Sequence, residues 1–516
     1  MWLIRIAFGF LFLLPIALLV VLSMGASASF VDHVLVHLLP QLALNSLISA
    51  IFVIGLCLAM GGYFAFLTSF YDIPGRKFVE LALCLPMMLP PYVYAYLFIP
   101  FVGSSLGWLG FRSLYGLIFC LVLAFTPYAF ILMRSFMMKN ALQWYAVAVA
   151  HGVTMTSFLR KVFIPGLRIP ATASAILLLL ETLAEFGASS MFSVPTLSSG
   201  IYKTWVSLFS LESAAFLGLV FFLFVLPFVL AEFFVLRSGP KPLGFEPKSL
   251  KWKPIYWLHL GLPLLVYLLL AVLLPILLLL KIVWFHAAES FLANVWIYTM
   301  NTALIGVAVA SFVSGCSLGV AALLRWRSAD KDVRFVDLCV SLGYGMPGIL
   351  IGIGVFGLMT KGAMLFSFHD GTESVWPKVW ALGGVIFGLS IRFAAPAWKL
   401  MERTLLQLPK QLDQAALVHG RGPWFLLRKL YIPFLAPSLW FGFALVLVEV
   451  MKELPVTLLL RPVGFDTLAV KVFEFTSEGE WEKAAMPILL ISGLSVFGFS
   501  LKWFFENVKP GEKGDQ

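Results

Sequence analysis

Twelve apolar stretches follow one another along this chain, each close to the roughly 20 residues that a helix needs to cross the hydrocarbon core of a bilayer. They fall at about 3–23, 45–68, 78–101, 110–133, 170–190, 211–236, 256–281, 297–324, 335–360, 378–400, 434–458 and 485–506. A soluble fold has nowhere to put that much apolar surface. Of 516 residues, 61% are hydrophobic and 12% are charged, where about a quarter charged is usual for a globular chain. Inside lipid a backbone must satisfy its own hydrogen bonds, so spans of this length are helices. The sequence predicts an all-α polytopic membrane protein with about 12 transmembrane helices. The first stretch opens Met-Trp-Leu-Ile-Arg and has no small-residue cleavage site before Phe30, so it reads as an anchor rather than a cleaved signal.

The 36 Lys and Arg against 26 Asp and Glu leave a formal charge of +10. Most of that charge lies between apolar stretches, at Arg76–Lys77, Arg160–Lys161, 237–253, 325–334 and Arg428–Lys429. This is the pattern that sets membrane orientation, and it gives no reason to expect nucleic acid. It predicts cytoplasmic termini. The one clear linker is RSGPKPLGFEPKSLKWK, residues 237–253, which parts the chain into 1–236 and 254–516. No GxxxxGK[ST] phosphate loop occurs, so nucleotide hydrolysis is not expected of this chain, nor is any bound cofactor. No local Ser/His/Asp or Cys/His set suggests an enzyme. Cys57, Cys84, Cys120, Cys316 and Cys339 fall in or beside apolar runs and read as structural thiols. Asp32, His33 and His37 have a HxxxH spacing without a second carboxylate, and read as an interfacial helix.

The two halves repeat. HGVTMTSFLRKVFIP from His151 matches HGRGPWFLLRKLYIP from His419 at an offset of 268, with Leu159/Leu427, Arg160/Arg428, Lys161/Lys429, Ile164/Ile432 and Pro165/Pro433 identical. Upstream, KFVELALCLPMMLP from Lys77 matches RFVDLCVSLGYGMP from Arg334 at an offset of 257. With six spans in each copy, both insert in the same sense, as two parallel six-helix repeats. An ion-driven carrier with six-span halves shares that count. The segments 134–168 and 402–433 separate the two readings. Each is too polar to cross and too apolar for a plain linker, and in each a short helix stops at a glycine before a second helix begins. Such a knob suits a groove on a cytosolic partner.

Asp413-Gln414-Ala415-Ala416-x-x-x-Gly420, followed by Ile432-Pro433, resembles the EAA coupling loop of ABC importer permeases. The first copy, Ala146-Val147-Ala148-x-x-x-Gly152, keeps the shape and the glycine but has lost the acid. The resemblance covers the chain as two permease halves in one polypeptide and implies the type I importer fold. It further implies a bacterial cytoplasmic (inner) membrane location and a homodimeric ATPase on the cytoplasmic side that holds ATP and Mg. A substrate-binding protein on the outer side is implied as well. Ala146, Ala148, Gly152, Asp413, Gln414, Ala415, Ala416 and Gly420 would then face the ATPase, with an acid of the second loop pairing to it.

Downstream, Glu181-Thr182-Leu183-Ala184-Glu185-Phe186-Gly187 aligns at the same offset with Glu449-Val450-Met451-Lys452-Glu453-Leu454-Pro455. With SVPTLSSGIYKTW and VTLLLRPVGFDTLAVKVFEF these strings are similar to the fused permeases of ferric-iron importers. Thiamine-importer permeases, which share the ELPVTLLLRP type of string, are the alternative. A carboxylate at mid-membrane depth costs roughly 2.5–3.5 kcal/mol on the lenient insertion scale and is read as functional. The i,i+4 spacing puts both acids of a pair on one helix face. Oxygen ligands suit a hard cation, so Glu181, Glu185, Glu449 and Glu453 are expected along a transient iron path. The alternative is structural: Lys452 offsets Glu449, and the acids cap backbone at breaks near Gly187 and Pro455.

Overall fold

The computed structural model describes residues 2–105, 110–235, 250–285, 294–327, 330–365 and 376–507. The linker stretch 237–249, the outer-loop residues 366–375 and the C-terminal tail from 508 lie outside the described residues. The described chain is almost wholly helical, with one two-residue parallel pairing of Tyr71–Asp72 with Leu250–Lys251.

Among the described residues, seven helices are long and apolar enough to cross a membrane, or ten if each of three bent pairs counts as one span. The expected straight spans at 78–101 and 335–360 are broken. Arg76–Met88 meets Pro91–Gly103 at 87°, and Lys331–Gly345 meets Gly348–Gly362 at 102°. Pro90–Pro91 and Met346-Pro347-Gly348 supply the reason, since proline removes the donor that would carry the helix through and clashes with the preceding turn. Two of the remaining stretches appear as the shorter apolar helix Phe8–Ser23 and the C-terminal helix Trp481–Asn507.

The chain forms two compact units that do not follow the sequence halves. One comprises Asp32–Gly200 with Phe224–Ala288, and the other Met1–Val31, Ile201–Leu223 and Glu289–Gln516. The opening span of each half is thus packed in the unit built mainly from the other half.

In the first of these units Leu39–Phe70 crosses Leu114–Phe136 closely enough that a Cβ on Gly61 would lie 2.8 Å from Ala129 Cβ and from Phe130 N. The segment 257–285 joins through three tyrosines. Tyr267 donates to Leu123 O at 2.9 Å, the carbonyl left without a helical donor by Pro127 four residues on. Tyr94 donates to Ala271 O at 2.8 Å and Tyr63 to Leu260 O at 2.7 Å. Those two carbonyls lie in the π-helical turns Leu269–Leu273 and Trp257–Gly261, where the widened ladder leaves a carbonyl unmatched. In a water-free interior each such group needs a protein partner.

In the other unit the N-terminal helix lies in a glycine-lined seat. A Cβ on Gly354 would meet Pro15 backbone at 2.6 Å, and one on Gly343 would meet Phe12 at 2.8 Å. The helix Trp376–Leu406 kinks at Phe393, three residues before Pro396.

Bonds of the same kind recur in the two units. Asn45 donates to Pro195 O and Asn301 to Asp466 O, at 2.9 and 3.0 Å. The Leu197 amide donates to Ser46 Oγ and the Leu468 amide to Thr302 Oγ1, both at 2.9 Å.

Candidate functional site

The two knobs anticipated from the sequence are built alike. In the first, Leu142–Ala150 ends at His151, and Gly152 takes φ +70°. The Val153 amide then reaches back to Ala148 O at 2.9 Å. In the second, Lys410–Val418 ends at His419, Gly420 takes φ +67°, and the Arg421 amide reaches back to Ala416 O at 2.9 Å. A six-to-one bond closing over a left-handed residue is the Schellman stop, and glycine supplies that conformation without a Cβ penalty. The chain then turns into Met155–Phe158 or Pro423–Leu426, followed in each copy by a π-helical turn, Leu159–Phe163 or Leu427–Tyr431.

Gly152, Gly420, Gln414 and Ala415 are exposed, while Ala146, Ala148, Asp413 and Ala416 are half-buried. Around the glycines stand bare apolar side chains, with Val418 85% and Trp424 71% exposed and Val149 and Leu417 about half so. His151 Nδ1 lies 2.8 Å from Val147 O, within its own helix, and His419 is exposed.

Asp413 differs from the expectation of a partner-facing acid. Its Oδ2 accepts from Arg325 Nε at 2.8 Å and its Oδ1 from the Tyr431 hydroxyl at 2.9 Å. Arg325 also donates to Leu405 O, to Leu408 O at 2.8 Å and to Pro409 O at 3.3 Å. The acid of the second knob is therefore engaged within its own chain.

The i,i+4 reading of the carboxylate pairs is corrected by the helix ends. Arg168–Ala184 stops one residue before Glu185, whose backbone is extended (ψ 126°), and Ile432–Met451 stops two residues before Glu453. Each of these acids turns onto the short helix that follows. Glu185 accepts the amides of Ala188 and Ser189 at 2.7 and 3.0 Å. Glu453 accepts those of Val456 and Thr457 at 2.9 and 3.2 Å, and the Thr457 hydroxyl at 3.2 Å. These are the orphan donors of the helices Gly187–Met191 and Pro455–Leu460, so a carboxylate there satisfies backbone that lipid could not. Glu449 pairs with Lys452 at 2.8 Å and Glu181 is half-buried. Glu181 and Glu185 belong to one compact unit, Glu449 and Glu453 to the other.

One charged residue escaped the sequence reading. Arg392 Nη1 lies 3.3 Å from Glu453 Oε1. A Cβ on Gly348 would overlap that guanidinium nitrogen and come within 2.8 Å of Glu453 Oε1. The pair thus sits where the kinked helix, the break at Met346-Pro347 and the break at Leu454 converge. Its only sequence signal was a lone Arg inside an apolar span. Among the described residues no three His, Cys, Asp or Glu side chains gather as metal ligands. The His33 and His37 rings lie 5.3 Å apart between centroids, tilted at 45° to each other.

Residues 315–513 match the family described as "Binding-protein-dependent transport system inner membrane component". Over 483 residues the chain is 25% identical to "Fe(3+)-transport system permease protein FbpB 2" of Haemophilus influenzae, with 89% of each chain covered. It is 21% identical over 482 residues to "Probable ABC transporter permease protein y4fN" of Sinorhizobium fredii, covering 86% of this chain and 83% of that one. A shorter match, 24% over 208 residues, covers 40% of this chain and 74% of "Putative 2-aminoethylphosphonate transport system permease protein PhnV" of Salmonella typhimurium. Residues 315–513 thus resemble the binding-protein-dependent transport inner-membrane components, and the chain as a whole resembles the fused two-half ferric-iron permeases of ABC importers.

Proposed function

We propose that this chain is the transmembrane permease subunit of an ATP-driven importer, carries ferric iron, and sits in the bacterial cytoplasmic membrane with both termini inside. A separate ATPase dimer, which would hold ATP and Mg, docks on the two knobs, and a substrate-binding protein delivers from the outer side. The observation that carries this reading is the pair of knobs. Two copies of one glycine-stopped helix, each crowned with exposed apolar side chains, are costly to leave bare in water. They are well suited to filling two clefts of a dimeric partner. The iron assignment draws its support from the similarity to the Haemophilus Fe(3+) permease.

The path is proposed to run past Glu181, Glu185, Glu449 and Glu453, which lie at or just before the helix breaks of the two halves. Lys452 and Arg392 offset the second pair, so the first pair carries the test. Glu185→Gln keeps an oxygen to accept one of the two amides and removes the charge. The measurement is uptake of iron delivered by the binding protein into vesicles carrying the assembled complex. Loss of uptake in Glu181→Gln and Glu185→Gln with assembly intact supports the path. Full uptake with both neutralised removes these acids from the path and leaves Glu185 to helix capping alone. Uptake of thiamine in place of iron by the wild-type complex would overturn the substrate assignment.

A further inference from the structure

The two knobs are alike in backbone, but the joints that fasten them to the membrane helices differ. At the second knob the joint is polar. Asp413 is held between Arg325, one residue before the end of Val295–Trp326, and Tyr431, on the π-helical turn that leads into Ile432–Met451. Arg325 also gathers three carbonyls from the turn Leu405–Pro409 that precedes the knob helix, and its guanidinium carbon lies 5.8 Å from the Tyr431 ring centroid. The repeat offset of 268 places Tyr145 at the position of Asp413, Phe163 at that of Tyr431 and Phe158 at that of Leu426. In the first half those residues form an aromatic cluster instead. Tyr145 packs on Phe158 at 5.2 Å and on Phe70 at 5.8 Å, and Phe163 packs on Phe70 at 5.5 Å and on Phe158 at 6.0 Å. Phe70 closes Leu39–Phe70 much as Arg325 nearly closes its own helix.

We propose that Asp413 is a positioning residue: it latches the second coupling helix to Arg325 and Tyr431 of its own chain, while Tyr145 does the same work at the first knob by aromatic packing. This rests on the permease reading above. It removes Asp413 from the partner-facing set and leaves the apolar crown and Gln414 as the docking face. The two materials respond to different perturbations. A charge-assisted bond is weakened by neutralising the acid, whereas a packed ring is weakened only by truncation.

The test is amide hydrogen exchange of the full chain in lipid nanodiscs, with no ATPase present. Asp413→Asn should speed exchange across 410–418 by about tenfold, the loss of one charge-assisted bond, and leave 142–150 unchanged. Tyr431→Phe, which keeps the ring, should give a smaller increase in the same segment. Tyr145→Ala should loosen 142–150 alone. In an Arg325→Gln background, Asp413→Asn should add less than it does in the wild type, because only the Tyr431 bond is then left for it to weaken. Unchanged exchange in Asp413→Asn, or an undiminished effect in the Arg325→Gln background, would overturn the latch. A second arm separates the inference from the reading beneath it, by measuring ATP hydrolysed per iron transported in the assembled importer. Faster exchange with an unaltered ratio would leave the latch standing and sink the assignment of this helix to ATPase coupling.

Discussion

Arg392→Met tests whether the buried pair at the three-way helix junction holds that junction together. The Glu453 side chain is 2% exposed and that of Arg392 15%, so solvent screening gives little relief. Removing one partner of a buried pair generally costs about 3–5 kcal/mol, because the survivor is left charged and dry. Three neutral donors remain on Glu453 after the change, two amides and the Thr457 hydroxyl, which places the expected loss near the lower end, about 3 kcal/mol. Methionine keeps most of the aliphatic stem, so the packing loss is small. Adding Glu453→Gln removes the orphaned charge and forfeits roughly one amide bond, and the double variant should recover to a loss of about 1–2 kcal/mol. Gly348→Ala should be costly in the wild type, where its Cβ overlaps the guanidinium, and less costly in Arg392→Met, where the contact with Glu453 Oε1 remains. Equilibrium unfolding of the purified chain by SDS titration in mixed micelles, followed by tryptophan fluorescence, measures all four variants. A loss under about 1 kcal/mol for Arg392→Met, or simple additivity in the double variant, would refute the argument that the pair is a mutual dependence.

Tyr267→Phe should cost about 1–2 kcal/mol by stranding Leu123 O, and nearly nothing in Pro127→Ala, whose restored amide can take that carbonyl; the same titration checks both. Gly420→Val places a β-branched residue at φ +67° where nothing lies within 4 Å of a new Cβ. Any harm is then backbone strain. It should uncouple ATP hydrolysis from transport with insertion intact, and Gly420→Asn should be tolerated far better. In the segment 461–478, which ends in the helix Leu468–Glu478, burial pushes the Glu474 carboxyl up, but the Lys471 hydrogen bond and charge together with Arg461 outweigh it and hold it below the usual carboxylate range. A depressed folded value stabilises above the unfolded pKa and is lost as pH falls through the folded one. Thermal melts from pH 7 to pH 3 should therefore decline less steeply in Lys471→Met than in wild type.

Much of the candidate site was legible because its signals are local. Gly152 and Gly420 each stop a helix within a dozen residues of the string that announces it. The same strings that align the repeats also place Glu185 and Glu453 beside a chain break. What misled was the assumption of unbroken helix through those breaks. Spacing i,i+4 puts two acids on one face only while the helix lasts, and Arg168–Ala184 and Ile432–Met451 end before the second acid is reached. Capping donors at Ala188, Ser189, Val456 and Thr457 then decide where the carboxylate points.

The sequence by itself determined that the chain is helical and membrane-embedded, that its halves repeat, and where each knob would fall. These follow from hydropathy, proline and glycine, which act over a few residues. Tertiary structure alone decided who packs with whom. The opening helix Trp2–Ser23 is apolar nearly all round, and such a surface reads the same whether it meets lipid or protein. Nothing in its pattern could reveal that it seats on Gly343 and Gly354 of the opposite half. Asp413 and Arg325 lie 88 residues apart, and Glu453 and Arg392 lie 61 apart. A charge in an apolar segment announces only that it needs a partner. Which partner it finds depends on how the helices cross, and that geometry is written in close-packed contacts rather than in any local run of residues.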